Sequence, residues 1–188
     1  KELGLENKFV ITYVGAHGLA NHLIQLIDAA EKLTDTNIVF QLIGAGMQKE
    51  ALMEEVKKRN LSNIIFRNPV SKQEVFKYIL ASDVGASVLK KVDTFKTIYS
   101  NKTFDYMSCK RPVLLAIDGV SRDLIDIAEC GVYVEPENAD LIAEKARELS
   151  NMSENELIQM GINGYNYAIQ NFDRIKLSTK YINLLNES

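Results

Sequence analysis

The sequence predicts a doubly wound α/β fold, in which a parallel sheet of about six strands carries helices on both faces. Three observations support this prediction. Short apolar runs rich in β-branched residues alternate with amphipathic segments along the whole chain. No Pro-rich or Ser-rich linker interrupts the alternation. The length of 188 residues suits one large domain, so we expect a single domain over residues 1–188.

The predicted strands are short runs that are apolar at nearly every position, as expected for strands buried on both faces of a parallel sheet. Glycine or polar residues follow most of them and mark their ends. The six runs cover residues 9–14, 38–43, 63–66, 83–89, 113–117 and 131–134.

Helices are predicted between the strands, where apolar residues recur at three- and four-residue spacing. Ser71, with Glu74 three residues later, forms a capping-box pattern at one helix start. A short helix begins at Ser100 and ends before Pro112, since proline cannot continue it. The other predicted helices cover residues 20–33, 47–60, 71–81, 122–129, 138–150, 153–171 and 174–186.

Composition excludes several classes of function. A net charge of −3 gives no global basic field, so no nucleic-acid partner is predicted. No apolar run is long enough to cross a bilayer. Cys109 and Cys130 lack the spacing of metal ligands and are expected to be small buried side chains in a reducing compartment. His17 and His22 lack cysteine or paired carboxylates nearby, so no metal site is predicted.

Glycine-rich loops follow the first two strands, at the edge of the sheet where ligands of such folds bind. We select Gly15, His17 and Gly18 in the first loop, and Gly44 and Gly46 in the second. Glycine allows a ligand close to the backbone, and a helix start offers N–H groups to a phosphate. The first loop has the pattern G-x-x-G and not the G-x-G-x-x-G of dinucleotide-binding folds. No acidic residue stands at the end of the second strand, where such folds place their ribose ligand. Both observations disfavour NAD. For both loops, the alternative is that the glycines only form tight turns and bind no ligand.

Arg67 and Asn68 follow the third strand and are candidates for contact with the edge of a base. A surface turn containing Pro69 explains these residues equally well.

The segment SNKTFDYMSCKRPVLL carries the most specific signal. Ser100 or Asn101 can cap the helix. Asp105 could accept hydrogen bonds from two neighbouring hydroxyl groups, as on a ribose, each contributing about 1.5–3 kcal/mol. Lys102 could neutralise a diphosphate. On these residues alone, an intrahelical Lys102–Asp105 pair worth about 0.2–0.5 kcal/mol is the simpler interpretation.

Taken in order, five segments resemble a known family: VGAHGLANHLIQLIDAAEKL, VFQLIGAGMQKEAL, NIIFRNPVSKQEVFKYILASDVGAS, SNKTFDYMSCKRPVLL and GVYVEPENADLIAEKARELS. They are similar to the donor-binding, carboxyl-terminal half of GT-B glycosyltransferases of the retaining family 4, also called glycosyl transferases group 1. Within that family the chain most resembles bacterial polysaccharide enzymes that transfer N-acetylated amino sugars, including fucosamine-type transferases.

The resemblance implies roles for individual residues. Asp105 stands at the position of the glutamate that holds the donor ribose in the family's EAMAxGxPV helix. Thr97 replaces a second glutamate that contacts the transferred sugar in many members. Ser100, Asn101 and Lys102 fit an S/P-N-K variant whose helix start meets the diphosphate. Lys102 would then stabilise the charge of the leaving phosphate.

The first loop departs from the family pattern. Many members carry Arg and Lys after the first strand for the phosphates, whereas this chain has Ala16, His17 and Asn21. The backbone N–H groups of residues 15–18 could still bind a phosphate. By analogy, residues 67–70 would meet the base.

The resemblance also implies what the whole protein does. A preceding acceptor domain, absent from this chain, would bind a glycan or a polyprenyl-linked saccharide. The donor would be a UDP-sugar, with no further cofactor and no metal. The protein would be cytoplasmic, with peripheral contact at the inner face of the membrane if the acceptor is lipid-linked. The isolated domain would bind a nucleotide-sugar weakly and transfer nothing.

Two other interpretations stay open at the sequence level. One is a sugar-nucleotide epimerase of the same architecture, against which Thr97 in place of an acid argues mildly. The other is a non-enzymatic α/β regulatory module such as a receiver domain. Receiver domains need clustered aspartates where this chain has Gly15 and Ala16.

Overall fold

The computed structural model describes residues 4–186 and contains one six-stranded parallel sheet with strand order β3-β2-β1-β4-β5-β6. The strands are β1 Phe9–Val14, β2 Ile38–Ile43, β3 Ile64–Arg67, β4 Val84–Val88, β5 Val113–Ala116 and β6 Gly131–Tyr133. This confirms the predicted fold class. The expected domain, 1–188, also includes residues 1–3 and 187–188, which lie outside the described residues.

Eight α-helices occur within residues 4–186. They are α1 Ile24–Glu31, α2 Lys49–Lys58, α3 Lys72–Leu80, α4 Asn101–Ser108, α5 Val120–Ala128, α6 Ala139–Asn151, α7 Glu154–Phe172 and α8 Arg174–Asn186. Short 3-10 helices cover Leu19–Asn21 and Asp93–Thr97. The capping box predicted at the start of α3 is present in full.

Two helix boundaries differ from the prediction. The helix expected over 20–33 is divided, because His22 adopts a left-handed conformation with φ of 46° between the first 3-10 helix and α1. Helix α4 ends at Ser108, ahead of Pro112, because Lys110 is also left-handed, with φ of 53°. Proline therefore follows the end of this helix and does not cause it.

The sheet separates two hydrophobic cores. The first lies between the sheet and helices that include α1 and α6, and contains Ile11, Phe40 and Leu114. The second lies under α4, α5 and α7. Its buried members include Tyr106, Met107, Leu115, Cys109 and Cys130. Both cysteines are thus buried, as predicted. Full burial of one Leu, Ile or Phe contributes about 1.5–3 kcal/mol, so these cores stabilise the layered fold.

Tyr106 anchors α4 to the sheet. Its side chain is fully buried, and its hydroxyl donates to the Ala86 carbonyl at 2.9 Å and accepts from the Val14 N–H at 3.1 Å. These two partners belong to β4 and β1, between which the strand order reverses. The first turn of α4 is therefore held near the carboxyl edge at this reversal, where ligands of such sheets bind.

Within residues 4–186, no helix is both long and apolar enough to span a bilayer. No group of three or more His, Cys, Asp or Glu side chains in this part of the chain is arranged to hold a metal ion.

Candidate functional site

The two glycine loops are joined through their backbones. The His17 N–H donates to the Ala45 carbonyl at 2.8 Å, and the Gln48 N–H donates to the His17 carbonyl at 2.9 Å. Gly46 has φ of 157°, and a Cβ there would lie 2.5 Å from the His17 oxygen. Glycine at this position therefore serves the contact between the loops, because a side chain would separate them.

The same contact uses N–H groups that the sequence suggested for phosphate binding. The Gly15 N–H donates to the Ile43 carbonyl at 3.0 Å, and that of His17 is also occupied. A Cβ on Gly44 would lie 1.9 Å from the Gly15 oxygen. A phosphate at this loop would have to use the N–H groups of other residues.

A cavity of about 320 Å³ opens beside the joined loops. One part of its wall is backbone of the two loops, and another is apolar side chain from the segment after β3 and from α3. Its lining residues are Val14, Gly15, Ala16, Ile43, Gly44, Ala45, Pro69, Val70 and Val75. Apolar walls together with backbone groups suit a flat heterocyclic ring.

Asp105 projects from α4 on the side of α3. Burial raises the pKa of its half-buried carboxyl, and the nearby Lys72 ammonium at the start of α3 partly offsets this rise. Val75, one turn after Lys72, lines the cavity. The carboxylate thus lies near the start of α3 without lining the cavity itself, and no ion pair within residues 4–186 uses its acceptor capacity.

Lys102 turns the other way, towards the first loop. Its Nζ lies 3.4 Å from Asn21 Oδ1 and 5.0 Å from the centre of the Tyr13 ring. Burial lowers the pKa of this lysine to about 8. Neither an ion pair with Asp105 nor one with any other carboxylate is found for Lys102 in the described part of the chain. The simple intrahelical pair is therefore not formed.

The start of α4 is not capped as expected. Ser100 occupies the N-cap position, but its side chain makes no capping hydrogen bond. Its hydroxyl instead accepts from Ser87 Oγ at 3.1 Å, and Ser87 Oγ accepts from Thr103 Oγ1 at 3.1 Å. Asn101 is exposed at the first helical position. Without a side-chain cap, the first turn can offer N–H groups and the positive end of the helix dipole to an anion.

The side chains of Arg67 and Asn68 are engaged by the protein. Arg67 Nε donates to the buried Gln41 Oε1, and its guanidinium lies 5.5 Å from the centre of the Tyr78 ring. Asn68 Oδ1 accepts from Lys49 Nζ at 3.3 Å. The two residues that follow them, Pro69 and Val70, line the cavity instead.

His17 follows Ala16, which lines the cavity, but does not line the cavity itself. Its side chain is fully buried against Phe66 and Tyr13, with ring centres 6.0 and 6.1 Å away. Neither ring nitrogen has a hydrogen-bond partner. Burial and the charge of Lys49 lower the pKa of His17 to about 4, so the ring is neutral at pH 7. A buried neutral ring at this position is a packing group and not an exposed proton shuttle.

The basic segment after β4 forms surface ion pairs. Lys91 contacts Glu135 at 2.6 Å and Lys96 contacts Asp93 at 2.9 Å, beside a second cavity of about 460 Å³. Thr97 is exposed and its hydroxyl donates to the Thr94 carbonyl. The charge of these lysines is therefore largely balanced, unlike that of Lys102.

Two residues of the site were missed by sequence reasoning. Ser87 lies within the apolar strand β4. Its polar side chain was the only sequence signal of its hydrogen bonds with Ser100 and Thr103 at the start of α4. Lys49 stands in the first turn of α2, where a positive charge opposes the helix dipole. That unfavourable position was a usable signal of a specific contact.

Comparisons with known proteins bear on this arrangement. The family model described as "Glycosyl transferases group 1" matches residues 8–152. HepE from Anabaena, solved with UDP and glucose, superposes with a TM-score of 0.85 at 18% identity, over 100% of this chain and 50% of that one. The carboxyl-terminal domain of LpcC from Francisella tularensis gives 0.74 at 20% identity, over 88% and 87%. No curated protein matches the chain in sequence.

TarM from S. aureus, solved with fondaparinux, α-GlcNAc-glycerol and UDP, gives a TM-score of 0.81 at 19% identity, over 95% of this chain and 36% of that one. The chain thus spans about half the length of HepE and less of TarM. These likenesses show a shared Rossmann-like fold of the GT-B type. Because the family model covers all six strands, the cavity and α4, the chain belongs to the glycosyl transferases group 1 family.

Proposed function

We propose that this chain is the donor-binding half of a retaining glycosyltransferase, which takes a sugar from a UDP-sugar and transfers it to a polysaccharide or lipid-linked acceptor. One observation carries the proposal. The cavity lies beyond the ends of β1, β2 and β3, Asp105 lies near the start of α3, and Lys102 at the uncapped start of α4 reaches the loop after β1, with no ion pair among the described residues. Family membership and the UDP complexes of HepE and TarM support it.

In this proposal the base occupies the cavity. Backbone groups of the two glycine loops lie on one side of the ring, and Pro69, Val70 and Val75 lie on the other. Such walls give a ring apolar contact area and leave its polar edge to backbone N–H and C=O groups. The resemblance supplies the expectation that the base is uracil.

Asp105 then holds the ribose. A carboxylate can accept one hydrogen bond at each oxygen, which matches the two neighbouring hydroxyl groups of a ribose. Partial burial strengthens these bonds, because little water competes for the carboxylate. The raised pKa of Asp105 has the same cause.

The diphosphate lies at the start of α4 in this arrangement. The helix dipole and its free N–H groups favour an anion there. Lys102 adds a positive charge that no carboxylate of the described residues balances. When the bond to the sugar breaks, negative charge grows on the leaving diphosphate, and these fixed groups stabilise it.

The finer identity of the substrates comes from the resemblance. We propose an N-acetylated amino sugar as the transferred group, which the α-GlcNAc-glycerol in the TarM complex supports for a protein of this fold. The acceptor would be bound by a second domain, in keeping with the fact that this chain spans half of HepE. The isolated chain would then bind donor but transfer nothing.

Calorimetric titration of the chain with UDP, uridine and pyrophosphate tests the proposal. We expect weak binding of UDP, and Asp105→Ala should weaken UDP and uridine at least tenfold while leaving pyrophosphate unchanged, since two charge-assisted bonds of about 1.5–3 kcal/mol are lost. Asp123→Ala, an exposed acid on α5, is the matched control. Unchanged UDP affinity in the Asp105 variant would remove the ribose assignment.

Two other variants test the proposed position of the diphosphate. Lys102→Met and Asn101→Ala should lower UDP and pyrophosphate affinity and leave that of uridine intact. The opposite pattern, with uridine weakened and pyrophosphate unaffected, would contradict the placement of the diphosphate at α4.

A further inference from the structure

Lys49 connects the ends of two strands. Its Nζ donates to the Gly44 carbonyl at 2.9 Å, the Arg67 carbonyl at 2.8 Å and Asn68 Oδ1 at 3.3 Å. These three acceptors use the full donor capacity of an ammonium group. Gly44 follows β2, while Arg67 and Asn68 end and follow β3.

The contacts of Lys49 continue the link between β2 and β3 beyond the last pair of their ladder. Ile43 opposite Arg67 is the last pair of the β2–β3 ladder, and the next bond, from the Gly44 N–H to the Arg67 carbonyl, is long at 3.3 Å. Beyond this point the two chain segments diverge into separate loops. Besides that bond, the ammonium of Lys49 joins the two segments there.

The two joined segments form parts of the cavity wall. Gly44 and Ala45 contribute to one side, and Pro69 and Val70 to the other. Any change in the spacing of the β2 and β3 ends therefore changes the width of the cavity. Lys49 itself is not among the residues that line the cavity, so it would act on a bound ring through these segments.

A lysine at this position is unfavourable for α2 itself, which indicates that its contacts stabilise something other than the helix. A positive charge in the first helical turn opposes the dipole, and ordering a long side chain costs up to about 2 kcal/mol of entropy. A lysine serving only the helix would be better placed in the last turn, as Lys57 and Lys58 are. The three oxygen contacts offset that cost.

We propose that Lys49 is a positioning residue for the nucleobase, which fixes the spacing of the two cavity walls before the donor binds. The identity of the ligand rests on the proposed function, whereas the link between the walls rests on the three contacts alone. Pre-ordered walls raise affinity because binding then has less loop motion to freeze.

Lys49→Met tests the inference, because it keeps the length of the side chain and removes the ammonium. We expect UDP and uridine affinity to fall by about tenfold and pyrophosphate affinity to stay unchanged. Lys57→Met, an exposed lysine on the same helix, should bind all three ligands like wild type. Lys49→Arg, which keeps a charged donor, should restore part of the loss. Thermal unfolding verifies that each variant is folded, and Lys49→Gln replaces the Met variant if it is not.

The buried His17 ring gives a second readout. Because the Lys49 charge helps to lower the pKa of His17, NMR titration of the Met variant should show a higher His17 pKa than wild type. Amide signals of Asn68 and Val70 should shift or broaden in the Met variant. Both changes are independent of any ligand and report on the contact itself.

The outcomes separate the two claims. If wild type binds UDP and Lys49→Met binds it equally well, the positioning role is overturned while the proposed function stands. If wild type binds neither UDP nor uridine, the proposed function fails, and the nucleobase role of Lys49 fails with it. An equal loss of uridine and pyrophosphate affinity would indicate general damage to the fold and would also overturn the inference.

Discussion

Lys102 places a positive charge where the described residues offer it no carboxylate. Its contacts are an amide oxygen of Asn21 and the face of the Tyr13 ring, and neither carries a full negative charge. Burial without a counter-ion destabilises the charged form, which is why the pKa of Lys102 falls to about 8. A dianionic ligand would supply the missing partner and stabilise the protonated form.

The UDP affinity should therefore depend on pH in a definite direction. Below pH 8 Lys102 is charged, and above it the free protein loses this proton. The phosphates, with a second pKa of about 6, stay ionised throughout. Affinity measured by calorimetry should fall several-fold from pH 7.5 to 9.5 in wild type. It should remain nearly flat in Lys102→Arg, since arginine keeps its charge. Equal slopes in both proteins would show that Lys102 does not contact the phosphates.

At the scale of elements, the site depends on two loops that share backbone hydrogen bonds. The bonds between His17 and the 45–48 segment require that the loops touch without side chains between them. Gly46 meets that requirement and Gly18 is not part of it, since a Cβ on Gly18 would find only the Asn21 side chain, 3.9 Å away. The two glycines look alike in the sequence but differ in what they do.

Alanine substitution should separate these two glycines. Gly46→Ala puts a Cβ 2.5 Å from the His17 oxygen at a φ of 157°, and should lower the free energy of unfolding by about 1–3 kcal/mol. Gly18→Ala, at a φ of −107°, should change it by less than about 0.5 kcal/mol. Urea denaturation measures both. A neutral Gly46 variant would mean that the loops separate easily.

The elements were predictable where local sequence decides them. Ser71 and Glu74 are three residues apart and bond each other as the pattern predicts. Ser100 has the same residue type but bonds Ser87, because the fold brings a competing hydroxyl from β4 next to it. No local pattern contains that information, and the predicted side-chain cap of Ser100 was wrong for this reason.

At the scale of the molecule, the strand order decides where the site lies. β1 and β4 are neighbours, and Tyr106 fixes α4 over both strands. The alternation of strands and helices predicted that the loops share one edge, and the structure confirms it. The direction of individual side chains was not predictable. Arg67 turns to Gln41, and His17 enters a slot beside Phe66, because residues distant in sequence form those surroundings.

The buried His17 should make the stability of the whole chain sensitive to acid. The unfolded chain binds a proton on this ring near pH 6.5, whereas the folded chain resists protonation until about pH 4. Unfolding therefore takes up a proton between these values, and stability falls as pH decreases through them, by at most about 1.4 kcal/mol per pH unit. His17→Phe keeps an aromatic ring against Phe66 and Tyr13 but cannot titrate. Urea denaturation at pH 7, 5.5 and 4.5 should show wild type losing more stability than the variant. Parallel losses in the two proteins would mean that protonation of His17 is not resisted by the fold.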